Sequence, residues 1–183
     1  GAFGLKPGLL DADILINMDS EDEGEVYVGC AGGIDISATK KYTPEACPAD
    51  HVGYKVHVRG LKGGHSGMDI PLGRANANKV LFRFLMQAEW DLKIRLASAE
   101  GGDLRNAIPR ESVGVVAVPA ASAYDFEKMV ADYQSIYRIE FADTEPYLDF
   151  TSEKTDTPAT VVPVEEQRKF IRAVFACPNG VQR

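Results

Sequence analysis

The chain has 183 residues, of which 45% are hydrophobic and 26% are charged. This composition is ordinary for one soluble globular domain, or for one small domain with parts of another. The formal net charge of −7 at pH 7 and the lack of a stripe of Lys and Arg argue against a nucleic-acid partner. No apolar run approaches the roughly 20 residues of a membrane-spanning helix, so we expect no membrane partner either.

The cysteines and the two ends of the chain add a second set of expectations. Three cysteines, far apart and without CxxC spacing, make a disulfide framework or a zinc finger improbable. Reduced thiols in the cytoplasm are the simpler interpretation. The sequence begins at Gly1 without an initiator Met and stops in a turn-like segment, 178–183. We therefore expect a piece of a longer protein.

The first third of the chain predicts strands of two kinds. Residues 12–17 (ADILIN) form a continuous apolar run between acids, which is typical of a strand buried on both faces of an α/β sheet. A second strand is predicted at 26–30. A third is predicted at 34–42, where apolar residues alternate with polar ones at the start of the segment.

The middle of the chain alternates strands and helices in a regular order. The predicted elements are a strand at 52–59, a helix at 75–89, strands at 92–97 and 113–118, a helix capped by Ser122, a strand at 147–151, a surface loop at 151–163 and a helix at 164–175. The order strand, helix, strand, strand, helix, strand favours an antiparallel sheet with two helices packed on one face. We therefore predict an α+β module at 34–163, inserted in an α/β domain of which 1–33 and 164–183 are the edges.

An acidic cluster follows the first predicted strand. Asp19 comes two residues after the end of this strand, and four more acids follow by residue 25. In open α/β sheets ligands bind beyond the carboxyl ends of strands, and zinc and manganese accept carboxylate oxygens. Asp19 is therefore a candidate metal ligand. The alternative is a solvated acidic loop, because one carboxylate does not make a site and no HxD, HxxE or HExxH motif is present.

A glycine-rich loop, LKGGHSGMDI at 61–70, surrounds His65. Its glycines permit a close approach of the backbone to a ligand, and an imidazole can donate a hydrogen bond to an oxyanion or carry a proton near neutral pH. The alternative is a turn in which His65 faces water. The other two histidines, His51 and His57, lie beside a proline loop and on the polar face of a predicted strand.

A third polar segment, GDLRNAIPR at 102–110, combines Asn106 with Arg110. Asn offers a donor and an acceptor, and Arg can clamp a carboxylate with two N–H groups. Together they could hold the backbone or the carboxyl end of a peptide. The alternative is a loop whose polar groups satisfy its own turns. In the nearby GRANAN segment, Asn76 and Asn78 are candidates either for capping the helix that follows or for facing the His65 loop, and the sequence does not decide between these roles or assign one to Arg74.

Four stretches in this order and spacing resemble one family, the aminoacyl-histidine dipeptidases. They are LINMDSEDEGEVYVGCAGGID, GLKGGHSGMDI, GRANANKVLFRFL and GGDLRNAIPRE. These cytosolic non-specific, or beta-alanyl-histidine, dipeptidases belong to the metallopeptidase family that includes carnosinase and carboxypeptidase G. The resemblance covers nearly the whole chain and is weakest at about 140–165.

The resemblance implies a dinuclear zinc hydrolase with a lid domain inserted in its catalytic domain. By position, Asp19 matches a metal-ligating Asp, and His65 matches a lid histidine that stabilises the oxyanion across a dimer. Asn106 matches a lid asparagine that contacts the substrate, and Arg110 is a further substrate-binding candidate. The implied partners are a dipeptide substrate and a second copy of the protein, with the lid mediating the homodimer.

The resemblance also shows which family motifs this sequence lacks. Its HxD segment, the bridging Asp, the paired glutamates and the final metal-ligating His are not among the 183 residues. We therefore expect the chain alone to be inactive and to hold no zinc. The implied function is the lid region of a zinc dipeptidase that hydrolyses dipeptides such as Xaa-His. The alternatives are a stand-alone dimerisation or binding module and a related N-acyl amino acid amidohydrolase.

Overall fold

The computed structural model of the chain describes residues 4, 6–9, 11–14, 16, 23–29 and 32–181. The chain divides into a smaller unit, residues 1–39, and a larger unit, residues 40–183. The described part of the larger unit contains β1 (Glu45–Ala46), β2 (His51–Arg59), β3 (Gly64–His65), α1 (Ala77–Leu92), β4 (Arg95–Gly101), β5 (Ala107–Ile108), β6 (Ser112–Pro119), α2 (Ala123–Glu140), β7 (Asp149–Thr155), β8 (Thr160–Val161) and α3 (Val164–Ala176).

The strands predicted near the start of the chain are wrong where the structure describes them. Residues 12–14, 16, 26–29 and 32–44 form no strand, and Val28 and Ile34 are 100% and 87% exposed. A strand needs a neighbouring strand to pair its backbone groups and a second layer to bury its apolar side chains. Among the described residues, these segments have neither. The remaining positions of the first two predicted strands lie outside the described residues.

A four-stranded antiparallel sheet in the order β4-β6-β2-β7 forms the centre of the larger unit. Each of α1 and α2 connects two parallel strands that have one other strand between them, which is the split β-α-β arrangement. Tyr54, Val56 and Val58 alternate along β2 and are buried against the helices. The predicted two-layer α+β fold, with an antiparallel sheet and two helices on one face, is therefore confirmed.

Aromatic rings from both helices and the sheet fill the core. Phe84 of α1 lies 5.6 Å from Phe126 of α2 and 5.0 Å from Phe150 of β7, measured between ring centroids. Both pairs are edge-to-face, an arrangement that adds about 0.5–1.5 kcal/mol per pair beyond the burial of area. Tyr137 is buried beside them, and its hydroxyl donates a 2.8 Å hydrogen bond to the carbonyl of Val80. These contacts fix both helices on the sheet.

Several element boundaries differ from the sequence prediction. Strand β7 continues to Thr155 and β8 follows, so the predicted loop at 151–163 is wrong over much of its length. Ser122 precedes α2, as predicted, but its side chain makes no capping hydrogen bond. Helix α1 is capped by Asn76, one of the two asparagines that the sequence offered for this role, and its side chain accepts from the backbone N–H groups of Asn78 and Lys79. Polar spacing alone does not decide which side-chain oxygen reaches a helix end.

Helix α3 packs against α1 and the start of β4 within the larger unit. The side-chain amide of Gln167, 1% exposed, accepts from the backbone N–H of Leu96 and donates to the carbonyl of Ile94. The Lys79 ammonium donates to three backbone carbonyls at the end of α3. The domain boundaries predicted at 33/34 and 163/164 stay predictions. No helix among the described residues combines the length and apolarity that crossing a membrane requires.

Candidate functional site

Two short strands join the glycine-rich loop to the Asn106 segment. In the β3–β5 ladder Gly64 lies opposite Ile108 and His65 lies opposite Ala107. The backbone N–H of Ser66 extends this ladder by donating a 3.0 Å hydrogen bond to the carbonyl of Asn106. Segments that are about 40 positions apart in the sequence therefore meet at His65.

A groove of about 700 Å³ lies along this junction. Residues 62–65 line one part of it, and residues 102–104 and 106–111 line the other. His65, Asn106 and Arg110, the three predicted site residues of the larger unit, all contribute to the lining. The side chains of Asn106 and Arg110 form no hydrogen bond or ion pair within the described part of the chain. They are therefore available to a ligand in the groove.

The His65 ring is held in one tautomer by its own loop. Its Nδ1 accepts hydrogen bonds from the backbone N–H groups of Gly67, at 3.1 Å, and Met68, at 3.3 Å. A nitrogen that accepts in this way carries no proton, so the neutral ring has its proton on Nε2. The side chain is exposed at the groove. His65 therefore offers an Nε2–H donor to a ligand.

An ion pair between Asp69 and Arg74 stabilises the His65 loop through hydrogen bonds to its backbone. Oδ2 of Asp69 accepts a 2.7 Å hydrogen bond from the backbone N–H of His65 and lies 3.3 Å from a guanidinium nitrogen of Arg74. The same Arg74 nitrogen donates to the carbonyl of Gly63 at 2.7 Å. This arrangement gives Arg74 a role that the sequence left open. It joins the start of the loop to its centre.

The ion pair of Asp69 and Arg74 leaves no room for a side chain at Gly64. Its φ is +148°, and a Cβ placed on it would lie 2.5 Å from Asp69 Oδ2 and 2.6 Å from a nitrogen of Arg74. We expected the glycines to let the backbone approach a ligand. At Gly64 the structure gives another reason, because the close approach is made by the chain's own ion pair.

A buried carboxylate, Glu145, supports the base of the loop. It is 2% exposed and accepts from the backbone N–H groups of Lys62, at 2.8 Å, and Ala75, at 3.0 Å. Sequence reasoning missed it, because it lies 83 and 70 positions from these partners and belongs to no motif. The segment between α2 and β7 contains two acids, Asp143 and Glu145, and nothing in the sequence distinguishes the one that is buried.

The predicted metal ligand Asp19 lies outside the described residues. Among the described residues, no group of three or more His, Cys, Asp or Glu side chains is arranged to hold a metal ion. The groove itself offers an imidazole, an amide and a guanidinium together with the carboxylates of Asp103 and Glu111. Such a set suits hydrogen bonding to a polar ligand.

Comparison with known proteins shows which family the chain resembles. Residues 56–145 match the peptidase dimerisation domain. The chain is 45% identical, over all of its 183 residues, to the cytosol non-specific dipeptidase of Escherichia coli (strain K12), and it spans 38% of that protein's length.

The crystal structure of aminoacylhistidine dipeptidase from Vibrio alginolyticus matches the whole chain with a TM-score of 0.82 and 44% identity, over 37% of the length of that protein. The chain spans well under half the length of both relatives. The resemblance to aminoacyl-histidine dipeptidases therefore holds over the whole chain, which contains a peptidase dimerisation domain and corresponds to one part of these longer enzymes.

Proposed function

We propose that this chain is the lid and dimerisation region of a dinuclear zinc dipeptidase that acts in the cytoplasm on dipeptides such as Xaa-His. The observation that supports the proposal is the groove in which His65, Asn106 and Arg110 meet. The backbone fixes the tautomer of His65, so the donor at Nε2 is present before any ligand binds. A donor preorganised in this way stabilises charge that develops in a transition state.

Each groove residue has a chemical part in peptide hydrolysis. Nε2–H of His65 donates to the oxyanion that forms when water adds to the scissile carbonyl. Arg110 can hold a substrate carboxylate through two N–H groups, and the Asn106 amide can both donate to and accept from the peptide backbone. Asp19 would be one metal ligand in the longer protein. Two zinc ions, when bound, supply polarisation of the carbonyl and activation of water.

The partner we propose is a second copy of the longer protein. The match to a peptidase dimerisation domain over residues 56–145 supports self-association. The remaining metal ligands would then lie in another part of the dimer, where the substrate binds and to which the lid delivers His65.

The test is a substitution of His65 in the longer protein. His65→Ala should lower kcat by about 10²-fold or more, because one oxyanion donor typically contributes that much. KM should change little, since the bond forms mainly in the transition state. His57→Ala is a matched control, because His57 lies on the outer face of β2 beside Glu153. Near-normal kcat in His65→Ala would rule out the oxyanion role.

The alternative of a stand-alone dimerisation module makes a different prediction. The matched dimerisation domain is its support. Sedimentation of the 183-residue chain would then show a stable dimer, and its reading frame would end near residue 183. A reading frame that continues into further histidine and carboxylate motifs supports the enzyme. Substrate profiling of the longer protein separates a dipeptidase from an N-acyl amino acid amidohydrolase.

A further inference from the structure

Glu145 is held rigidly in the turn between α2 and β7. Its backbone N–H donates a 2.8 Å hydrogen bond to the carbonyl of Phe141, and its carbonyl accepts a 3.0 Å bond from Leu148. The turn also packs closely against the backbone that leads into the His65 loop, because a Cβ on Gly60 would lie 2.0 Å from the carbonyl oxygen of Tyr147. The carboxylate of Glu145 therefore has a fixed place beneath the loop.

Both carboxylate oxygens of Glu145 are used, and each bonds one end of the same segment. Oε2 accepts from the backbone N–H of Lys62, and Oε1 accepts from that of Ala75. Residues 62–75 are therefore closed at their base by a single side chain. Two N–H donors, one buried and one partly buried, that converge on the same side chain need two acceptor oxygens. A carboxylate supplies both, and an amide supplies only one.

A series of direct contacts links the ends of the 62–75 segment to the His65 ring. Arg74, adjacent to Ala75, bonds the carbonyl of Gly63, adjacent to Lys62. Arg74 also pairs with Asp69, which accepts from the backbone N–H of His65. The ring in turn accepts from two N–H groups of the same loop. All of these contacts lie within the segment whose two ends Glu145 bonds.

We propose that Glu145 is a positioning residue for His65. By closing the 62–75 segment at both ends, it keeps the loop in the one conformation in which Nδ1 of His65 accepts from the backbone and Nε2 carries the proton. The proposed effect of Glu145 on the conformation of the loop involves only residues of this chain. Its consequence for catalysis rests on the function proposed above.

The first experiment is Glu145→Gln in the 183-residue chain, followed by NMR. Glu140→Gln is the matched control, because Glu140 pairs with Arg83 at the surface a few residues earlier. In Glu145→Gln we expect amide exchange of Lys62 or Ala75 to accelerate by about 10-fold or more, since a hydrogen bond to a charged group is lost. Gly67 and Met68 should accelerate with them, and ¹⁵N shifts should show His65 losing its preference for the Nε2–H tautomer.

Unchanged exchange at Gly67 and Met68, with an unchanged tautomer, would overturn the proposal, because Glu145 would then act only on its own two contacts. If Glu145→Gln does not fold, exchange of the wild-type chain in sub-denaturing urea gives the answer. The amides of Lys62, Ala75, Gly67 and Met68 should open together as one unit. Independent opening of Gly67 and Met68 at lower free energy would overturn the proposal.

The catalytic consequence is measured separately in the longer protein. Glu145→Gln should lower kcat with little change in KM, whereas Glu140→Gln should leave both unchanged. A normal kcat in Glu145→Gln beside an impaired His65→Ala would refute positioning by Glu145 and leave the role of His65 intact. A normal kcat in His65→Ala would refute the oxyanion role proposed for His65, while the exchange result for the loop would still stand.

Discussion

Replacing Gly64 with alanine tests whether the ion pair of Asp69 and Arg74 holds the His65 loop. The φ of +148° at Gly64 belongs to a region that L residues rarely adopt, and forcing a side chain there costs about 1–3 kcal/mol. The new Cβ would also lie 2.5 Å from Asp69 Oδ2 and 2.6 Å from an Arg74 nitrogen. Both side chains must move, and their hydrogen bonds to the backbone of residues 63 and 65 are lost.

The expected loss of stability in Gly64→Ala is the sum of the backbone strain and the lost hydrogen bonds. Each hydrogen bond to a charged group contributes about 1.5–3 kcal/mol. The two side chains are about a quarter exposed, so solvent screening places the contribution of the pair at the lower end of that range. Together with the backbone strain, we expect Gly64→Ala to lower the free energy of unfolding by about 3 kcal/mol.

Gly73→Ala is the matched control within the same loop. Its φ is also positive, at +66°, but a Cβ there meets nothing closer than 4.0 Å. It should therefore cost only about 1 kcal/mol of backbone strain. Urea unfolding of both variants measures the difference, and ¹⁵N shifts of His65 report whether the loop has opened locally. Equal destabilisation by the two alanines, with an unchanged His65 tautomer, would refute the proposed role of the ion pair.

Three further substitutions test other parts of the fold. Burial and then the hydrogen bond to Glu127 raise the pKa of Tyr54 from 10.0 to about 12. The folded state thus binds this proton more tightly than the unfolded state, so stability falls as pH rises through that interval, and Tyr54→Phe should make the fall shallower. An unchanged slope in urea titrations across this range would contradict the assignment. Asn76→Ala removes the cap of α1 and should cost about 1 kcal/mol; an unshifted urea midpoint would be evidence against the cap. Gln167→Leu removes the side-chain amide that bonds the backbone N–H of Leu96 and the carbonyl of Ile94. This loss should lower the free energy of unfolding by about 2 kcal/mol or more. A change within about 0.5 kcal/mol would show that water replaces the amide.

The sequence predicts the elements of the larger unit well, because their apolar periodicity records burial that exists within the chain. The alternation at 52–59 matches β2, and the spacing of Val80, Leu81 and Phe84 matches α1. The same alternation at 34–42 predicts a strand wrongly. A period of two shows only that a strand could bury one face, and among the described residues no strand forms a ladder with this segment.

Only those site residues that lie in an unusual local sequence could be predicted. His65, Asn106 and Arg110 stand out because glycines and clustered polar residues surround them, and the structure places all three along one groove. Their roles stay predictions. Glu145 carries no such mark, because its function depends on two backbone N–H groups brought close by the tertiary fold. A single sequence contains no signal for a contact of that kind.

The order of strands in the central sheet also has a consequence for synthesis of the protein. Strand β2 is made first, yet one of its two neighbours, β7, ends about a hundred residues later at Thr155. During synthesis, β2 can pair with β6 and be covered by α1 while its second edge still lacks its partner. Lys55 and Arg59 lie along that strand, and charged side chains discourage edge pairing with other chains. The nascent protein thus carries protection against misassembly during this interval.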